Sequence, residues 1–234
     1  MAPDPPESRV GYALAWLKKH SSNSVRDGMA RYAIPDDHAL GVRMGDIQKL
    51  GKELGRDHAL ALALWKTGVY EARMLCAYVD DPARVTAAQM DQQARDFDNW
   101  AICDTLCFAL WVRTPHALAK IHKWATHREE YVKRASFALL ASVALKDKEV
   151  AEKDLARCLP LIEKAASDER NFVKKGVNWA LRGVGERSLV LNKSAVALAK
   201  KLAASKDPAP RWIGKDALRQ LATPAAQKRI ARKG

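Results

Sequence analysis

Strand signals are nearly absent from this chain. Runs of alternating Val, Ile and Thr bounded by turns do not occur, which argues against a sheet. Long apolar runs are missing as well: the densest, HALALALW at 58–65, is far too short to span a bilayer, and no membrane association is expected. No cationic stretch leads into an apolar run and a small-residue cleavage site, so no export signal is read and the cytoplasm is the expected location. The four cysteines, Cys76, Cys103, Cys107 and Cys158, show no framework spacing and are expected to be reduced. Cys103 and Cys107 stand four apart, but no nearby His or third Cys completes a zinc set, and His122 and His127 lack the spacing of a metal pair on one helix face. There is no Gly-rich phosphate loop, no Ser/His/Asp arrangement and no deaminase-type Cys/His cluster. Neither a metal nor another cofactor is expected.

What is present is positive charge, unevenly placed. The 234 residues carry a formal net charge of +13. Residues 1–112 hold 13 Lys/Arg against 15 Asp/Glu, a net of −2, while residues 113–234 hold 27 against 12, a net of +15. The excess lies wholly in the second half. Such a field attracts a polyanion, with binding that weakens steeply in salt, and nucleic acid fits it best. The same bias also serves as a solvated, solubilising surface.

Ala, Leu, Lys, Glu and Arg dominate at helical spacing, and Pro35, Pro82, Pro115, Pro160, Pro208 and Pro224 punctuate the chain as they would a series of short helices. Five segments then share one pattern, each opening on an aromatic residue: YEARMLCAYV from Tyr70, WAICDTLCFA from Trp100, YVKRASFALL from Tyr131, FVKKGVNWAL from Phe172 and WIGKDALRQL from Trp212. The last three start 41 and then 40 residues apart, the period of two-helix HEAT or armadillo units. One such unit cannot bury its apolar face alone, so the pattern predicts an all-α, curved solenoid of stacked helix pairs over residues 9–222. The Pro-rich start, residues 1–8, and the basic tail, residues 223–234, are expected to stay outside it without ordered structure.

The fourth position of the five segments holds Arg73, Cys103, Arg134, Lys175 and Lys215. Equivalent positions of stacked repeats form a row, so these four cations are expected to line one face, suited to a phosphate backbone. One segment breaks the rule, reading Cys103-Asp104 where the others have a cation. Asp98 or Asn99 can cap that helix through its first-turn amides, but Asp104 lies too far in to act as a cap. Trp100 and Asp104 stand one turn apart on one face, which Cys107 or Phe108 and Trp111 extend. On a DNA-facing surface an ionised acid repels phosphates, by roughly 4 kcal/mol per close contact before screening. It therefore calls for a compensating cation, either a neighbouring Arg in a structural ion pair or a cationic substrate.

These segments resemble the DNA alkylation repair family of AlkD-like DNA glycosylases, solenoids of HEAT-like repeats. The likeness is carried by LWKTGVYEARMLCAYV at 64–79, DFDNWAICDTLC at 96–107, YVKRASFALLA at 131–141, DERNFVKKGVNWALRGVGER at 168–187 and RWIGKDALRQL at 211–221. It covers roughly residues 10–222 and implies hydrolysis of the N-glycosyl bond of cationic N3- and N7-alkylated purines in double-stranded DNA, without flipping the base into a pocket. By the same resemblance, Trp100 and Trp179 flank the lesion and Asp104 is the catalytic carboxylate. Arg134 would grip the phosphate beside the lesion, while Arg43 and Met44 fall among the N-terminal DNA contacts. The neighbouring cations Lys133, Lys174, Arg182 and Arg211 join Arg73, Lys175 and Lys215 as candidate DNA contacts. The chain departs from the family at Ala101, where members often carry an acid. No lysine is placed as a Schiff-base nucleophile, so the expected product is an abasic site without strand nicking. A monomer with no obligate protein partner suffices. A catalytically silent module binding bent or damaged nucleic acid, and a protein-binding scaffold, remain alternatives on this fold.

Overall fold

The computed structural model describes residues 6–232, in two compact units, Met1–Thr114 and Pro115–Gly234. Every regular element among the described residues is helical. The first unit contains α1 (Pro6–Lys19), α2 (Asn23–Asp27), α3 (Met44–Leu54), α4 (His58–Lys66), α5 (Tyr70–Val79), α6 (Ala87–Arg95) and α7 (Trp100–Ala109), with short 3-10 turns at Met29–Tyr32 and Trp111–Arg113. The second contains α8 (Ala117–Trp124), α9 (Glu130–Lys146), α10 (Glu152–Ala156), α11 (Leu159–Ala165), α12 (Asn171–Gly185), α13 (Leu189–Ala203), α14 (Pro208–Leu221) and α15 (Pro224–Ala231).

Local chemistry sets these starts. The side chains of Asp57, Thr86, Asn99, Ser188 and Thr223 each accept a first-turn amide of the helix they precede. Pro208 and Pro224 open α14 and α15, where a missing N–H costs nothing. The five aromatic-led segments are α5, α7, α9, α12 and α14. In the first unit α5 packs against α3, α4 and α7. In the second, α9 packs on α12 and α12 on α14, while α8, α11 and α13 each back one of these three. The cores are apolar and continuous within each unit, with Leu75, Met90 and Ile102 buried in one and Trp124, Phe137 and Val177 in the other.

Glycines permit the tightest of these crossings. A Cβ on Gly183 of α12 would lie 3.1 Å from Ala141 Cα of α9, and one on Gly214 of α14 would collide with the backbone of Ala199 and Ala203 on α13. Gly214→Ala is therefore expected to cost about 1–3 kcal/mol. A thermal melt should register this as a drop of several degrees, and an unchanged melt would mean that α13 and α14 separate freely.

Both ends differ from expectation. Of the start read as unstructured, residues 1–5 lie outside the described residues, but residues 6–8 already form the first turn of α1, since Pro at the first helical position is compatible with a helix. The tail read as free is helical over Pro224–Ala231. Ala226 and Ile230, four apart, bury one face of it, and Gln227 Nε2 donates to Asn192 Oδ1 of α13 at 2.7 Å. No helix among the described residues is long and apolar enough to cross a membrane.

Candidate functional site

Asn99 accepts from the amides of both Ala101 and Ile102 at 3.0 Å, fixing where α7 begins and so where Trp100 and Asp104 point. Cys103 and Cys107 of that helix are fully buried. Trp100 and Asp104 are half-buried and line one cleft of about 300 Å³ together with Tyr32, Ile34, Met44, Tyr70, Met74, Ala101 and Thr105. Asp104 is the one acid in that lining, set among aromatic and thioether side chains. Trp111 does not extend this face, contrary to the helical-wheel reading. The helix stops at Ala109, and Trp111 turns into the core 5.6 Å from Phe97. Phe108, 41% exposed, continues the face one turn beyond Asp104.

The far wall of the cleft is a loop that the sequence gives little reason to notice. Trp100 Nε1 donates to the Tyr32 carbonyl at 2.8 Å, and the Tyr70 amide donates to the His38 carbonyl at 2.9 Å. The loop is clamped by Glu71, whose wholly buried carboxylate accepts from the amides of Leu40 (2.9 Å), Gly41 (2.7 Å) and Val42 (3.2 Å). Gly41 takes φ +79°, and a Cβ there would strike the Ser22 carbonyl, so only glycine lets the chain pass. Burial, reinforced by Glu71 and Asp98, pushes the Tyr70 phenol well above its ordinary range, so it stays protonated. Of the wall residues, Tyr70 and Met74 occupy the repeat positions of Trp100 and Asp104 and belong to that pattern; Tyr32 and Ile34 do not.

The expected cation row is only partly open. Lys175 and Lys215 are exposed, as are Arg211 and, in the first unit, Arg43. Arg134 is 6% exposed: its stem lies against Gly176 of α12, and Nη1 donates to the Phe172 carbonyl at 2.6 Å. Close packing of α9 on α12 thus draws this arginine into the seam. Arg73 sits over the Trp65 ring at 5.0 Å, and Arg182 Nε lies 4.0 Å from Asp216. Lys174 lies over the Trp212 ring at 5.4 Å, and Trp179 is half-buried one turn after Lys175. Burial raises the Asp216 carboxyl, but the Asn178 amide, Arg219 and Arg182 outweigh it and hold the group below its ordinary range.

Lys133 is paired with Asp168 at 2.8 Å, and Arg170 joins the same carboxylate at 2.6 Å. Hydrogen bonding from Arg170, with Lys133 adding to it against the cost of burial, holds Asp168 well below the usual carboxylate range. A carboxyl depressed in the folded state contributes stability at neutral pH that is lost as pH falls below about 4. Asp168→Asn should accordingly melt below the wild type at pH 7, with the gap closing in acid; a constant gap would mean the ion pairs contribute nothing. The four cysteines are buried and form no disulfide among the described residues, and burial pushes the Cys158 thiol up to about 11, which makes it a poor nucleophile.

Stacked helix pairs, with an acid in an aromatic cleft of the first unit and a strong excess of cations in the sequence of the second, define a helical-repeat protein. The family is also shown directly: residues 13–221 match the model of the DNA alkylation repair enzymes, and the chain belongs to that family. A solved structure described as "a new family of proteins related to the HEAT-like repeat DNA glycosylases with affinity for branched DNA structures" is similar in fold, with a TM-score of 0.74 and 18% identity over 91% of this chain and 95% of that one. The fold is thus all-α and HEAT-like. Comparison with curated proteins gives no significant match.

Proposed function

We propose that the protein is a monofunctional DNA glycosylase that removes cationic N3- and N7-alkylated purines from duplex DNA. The observation that carries this reading is the placement of Asp104 beside Trp100, Tyr32 and Tyr70 in one cleft. Alkylation at N3 or N7 gives the purine a positive charge and makes it a good leaving group without protonation. As the C1′–N bond breaks, the charge passes to the sugar as an oxocarbenium-like ion. A fixed carboxylate stabilises that ion more than the intact nucleotide, which lowers the barrier. Glycoside hydrolases set acids against similar sugar cations. Asp104 is also suited to orient the water that attacks C1′, giving free base and an abasic site. The aromatic walls attract the cationic nucleotide by cation–π contact, ~0.5–2 kcal/mol each. Trp179, by the family resemblance, would support the deoxyribose.

DNA is held through phosphates by the exposed cations of the second unit, so no base sequence is read. Lys175→Ala and Lys215→Ala are each expected to reduce the slope of log affinity against log salt by about one. An unaltered slope would place them off the DNA. Arg134→Ala, by contrast, should act mainly on stability, because that side chain fills the α9–α12 seam.

The direct test is incubation with duplex DNA carrying N7-methylguanine, followed by separation of free base and of strands. Free base with uncut strands supports the proposal. A second reading, a catalytically silent binder of distorted DNA, is favoured by the branched-DNA affinity attributed to the similar solved structure. Tight binding without release would select it.

A further inference from the structure

Trp212 on α14 is 39% exposed, whereas Trp124 and Phe137 of its unit are buried and Tyr131, Phe172 and Trp179 are half-buried. It occupies the repeat position that Trp100 holds in α7. Lys174 of α12 places its ammonium 5.4 Å from the centre of the Trp212 ring. Arg211 precedes the ring in sequence and Lys215 follows it by one turn, both exposed. The acid on this face, Asp216, is taken up by Asn178 at 2.6 Å, Arg219 at 2.5 Å and Arg182 at 4.0 Å, so it does not cancel the cations around the ring.

We infer that Trp212 is a stacking platform for an unpaired nucleobase of DNA, with Lys174, Arg211 and Lys215 holding the phosphates on either side. An indole left open among cations matches the two chemistries of a single strand, a flat π-face and a flanking negative backbone. A paired base keeps both faces covered by its neighbours, so this ring discriminates unpaired from paired nucleotides. The surrounding cations attract either form, because phosphates are common to both. The site would let the protein hold a melted, gapped or frayed strand. It stands apart from the chemistry proposed at Asp104 and does not depend on it.

The test compares wild type with Trp212→Ala and Trp212→Tyr on a labelled oligothymidylate of about 15 nucleotides, and on a duplex of equal length, by fluorescence anisotropy over a salt series. Trp212→Ala should weaken single-strand binding by roughly 5- to 100-fold, in keeping with the loss of one base stack. Duplex affinity should change by less than about twofold, and the salt slope should stay the same for both, since no phosphate contact is removed. Trp212→Tyr should keep most of the single-strand affinity. Circular dichroism of both variants checks that α14 is intact. Equal losses on both DNAs, no loss on the single strand, failure of tyrosine to substitute, or absence of single-strand binding by the wild type would each overturn the inference.

Discussion

Replacing Asp104 with asparagine is expected to slow release of N7-methylguanine by ~10²–10³-fold while duplex affinity holds or rises slightly, as for loss of one preorganised electrostatic contact. The substitution keeps the shape of the side chain and removes only its charge. Asp104 lies among Trp100, Tyr70, Tyr32 and Met44, and no second carboxylate among the described residues lines the cleft to replace it. The charge matters mainly at the transition state, where the sugar is cationic. The loss should therefore fall on the maximal rate and leave substrate binding largely intact. Binding should not suffer, because a carboxylate near phosphates opposes association. Single-turnover measurement at saturating enzyme separates the two effects. Equal release by both proteins would remove Asp104 from the chemistry.

The second large effect concerns Glu71. Its wholly buried carboxylate holds the amides of Leu40, Gly41 and Val42, and Glu71→Ala would strand three donors away from water. Losing several charge-assisted bonds at a buried site is expected to cost about 3–5 kcal/mol. Unfolding should shift to lower temperature by roughly ten degrees. Base release should also fall at temperatures where the variant is folded, because the clamped loop carries Ile34 and leads to Tyr32 and Met44 in the cleft wall. Glu71→Gln keeps an acceptor and should fall between the two. A Glu71→Ala protein with wild-type stability would show that the loop is held by other contacts.

The helical repeat could be read from the chain because its signal is periodic. An aromatic start and a fixed apolar spacing recur in α5, α7, α9, α12 and α14, and each recurrence reinforces the others. The Trp100–Asp104 face was legible for the same reason, since i and i+4 on one helix must be neighbours. The opposite wall was not. Tyr32 and Ile34 reach the cleft through an irregular loop whose path depends on a glutamate about thirty residues later in the chain, and no periodicity links them. Helical spacing also misplaced two groups. Trp111 follows the end of α7 and turns inward, and Arg134 sits at a row position that close packing against Gly176 has covered. In the basic tail the helix rests on just two apolar residues, Ala226 and Ile230, whose spacing of four is that of a docked face but is too short a pattern to stand out among the charges.

The central claim is that the α7 cleft favours a cationic sugar through Asp104. It is tested most directly by binding of duplexes carrying, at one position, either a positively charged pyrrolidine in place of the deoxyribose or its neutral tetrahydrofuran counterpart. The wild type should prefer the cationic duplex by ~10²-fold or more, as expected for a mimic of the transition-state charge, and Asp104→Asn should lose that preference. Equal affinity of the wild type for the two duplexes, or a preference that survives the substitution, would contradict the account.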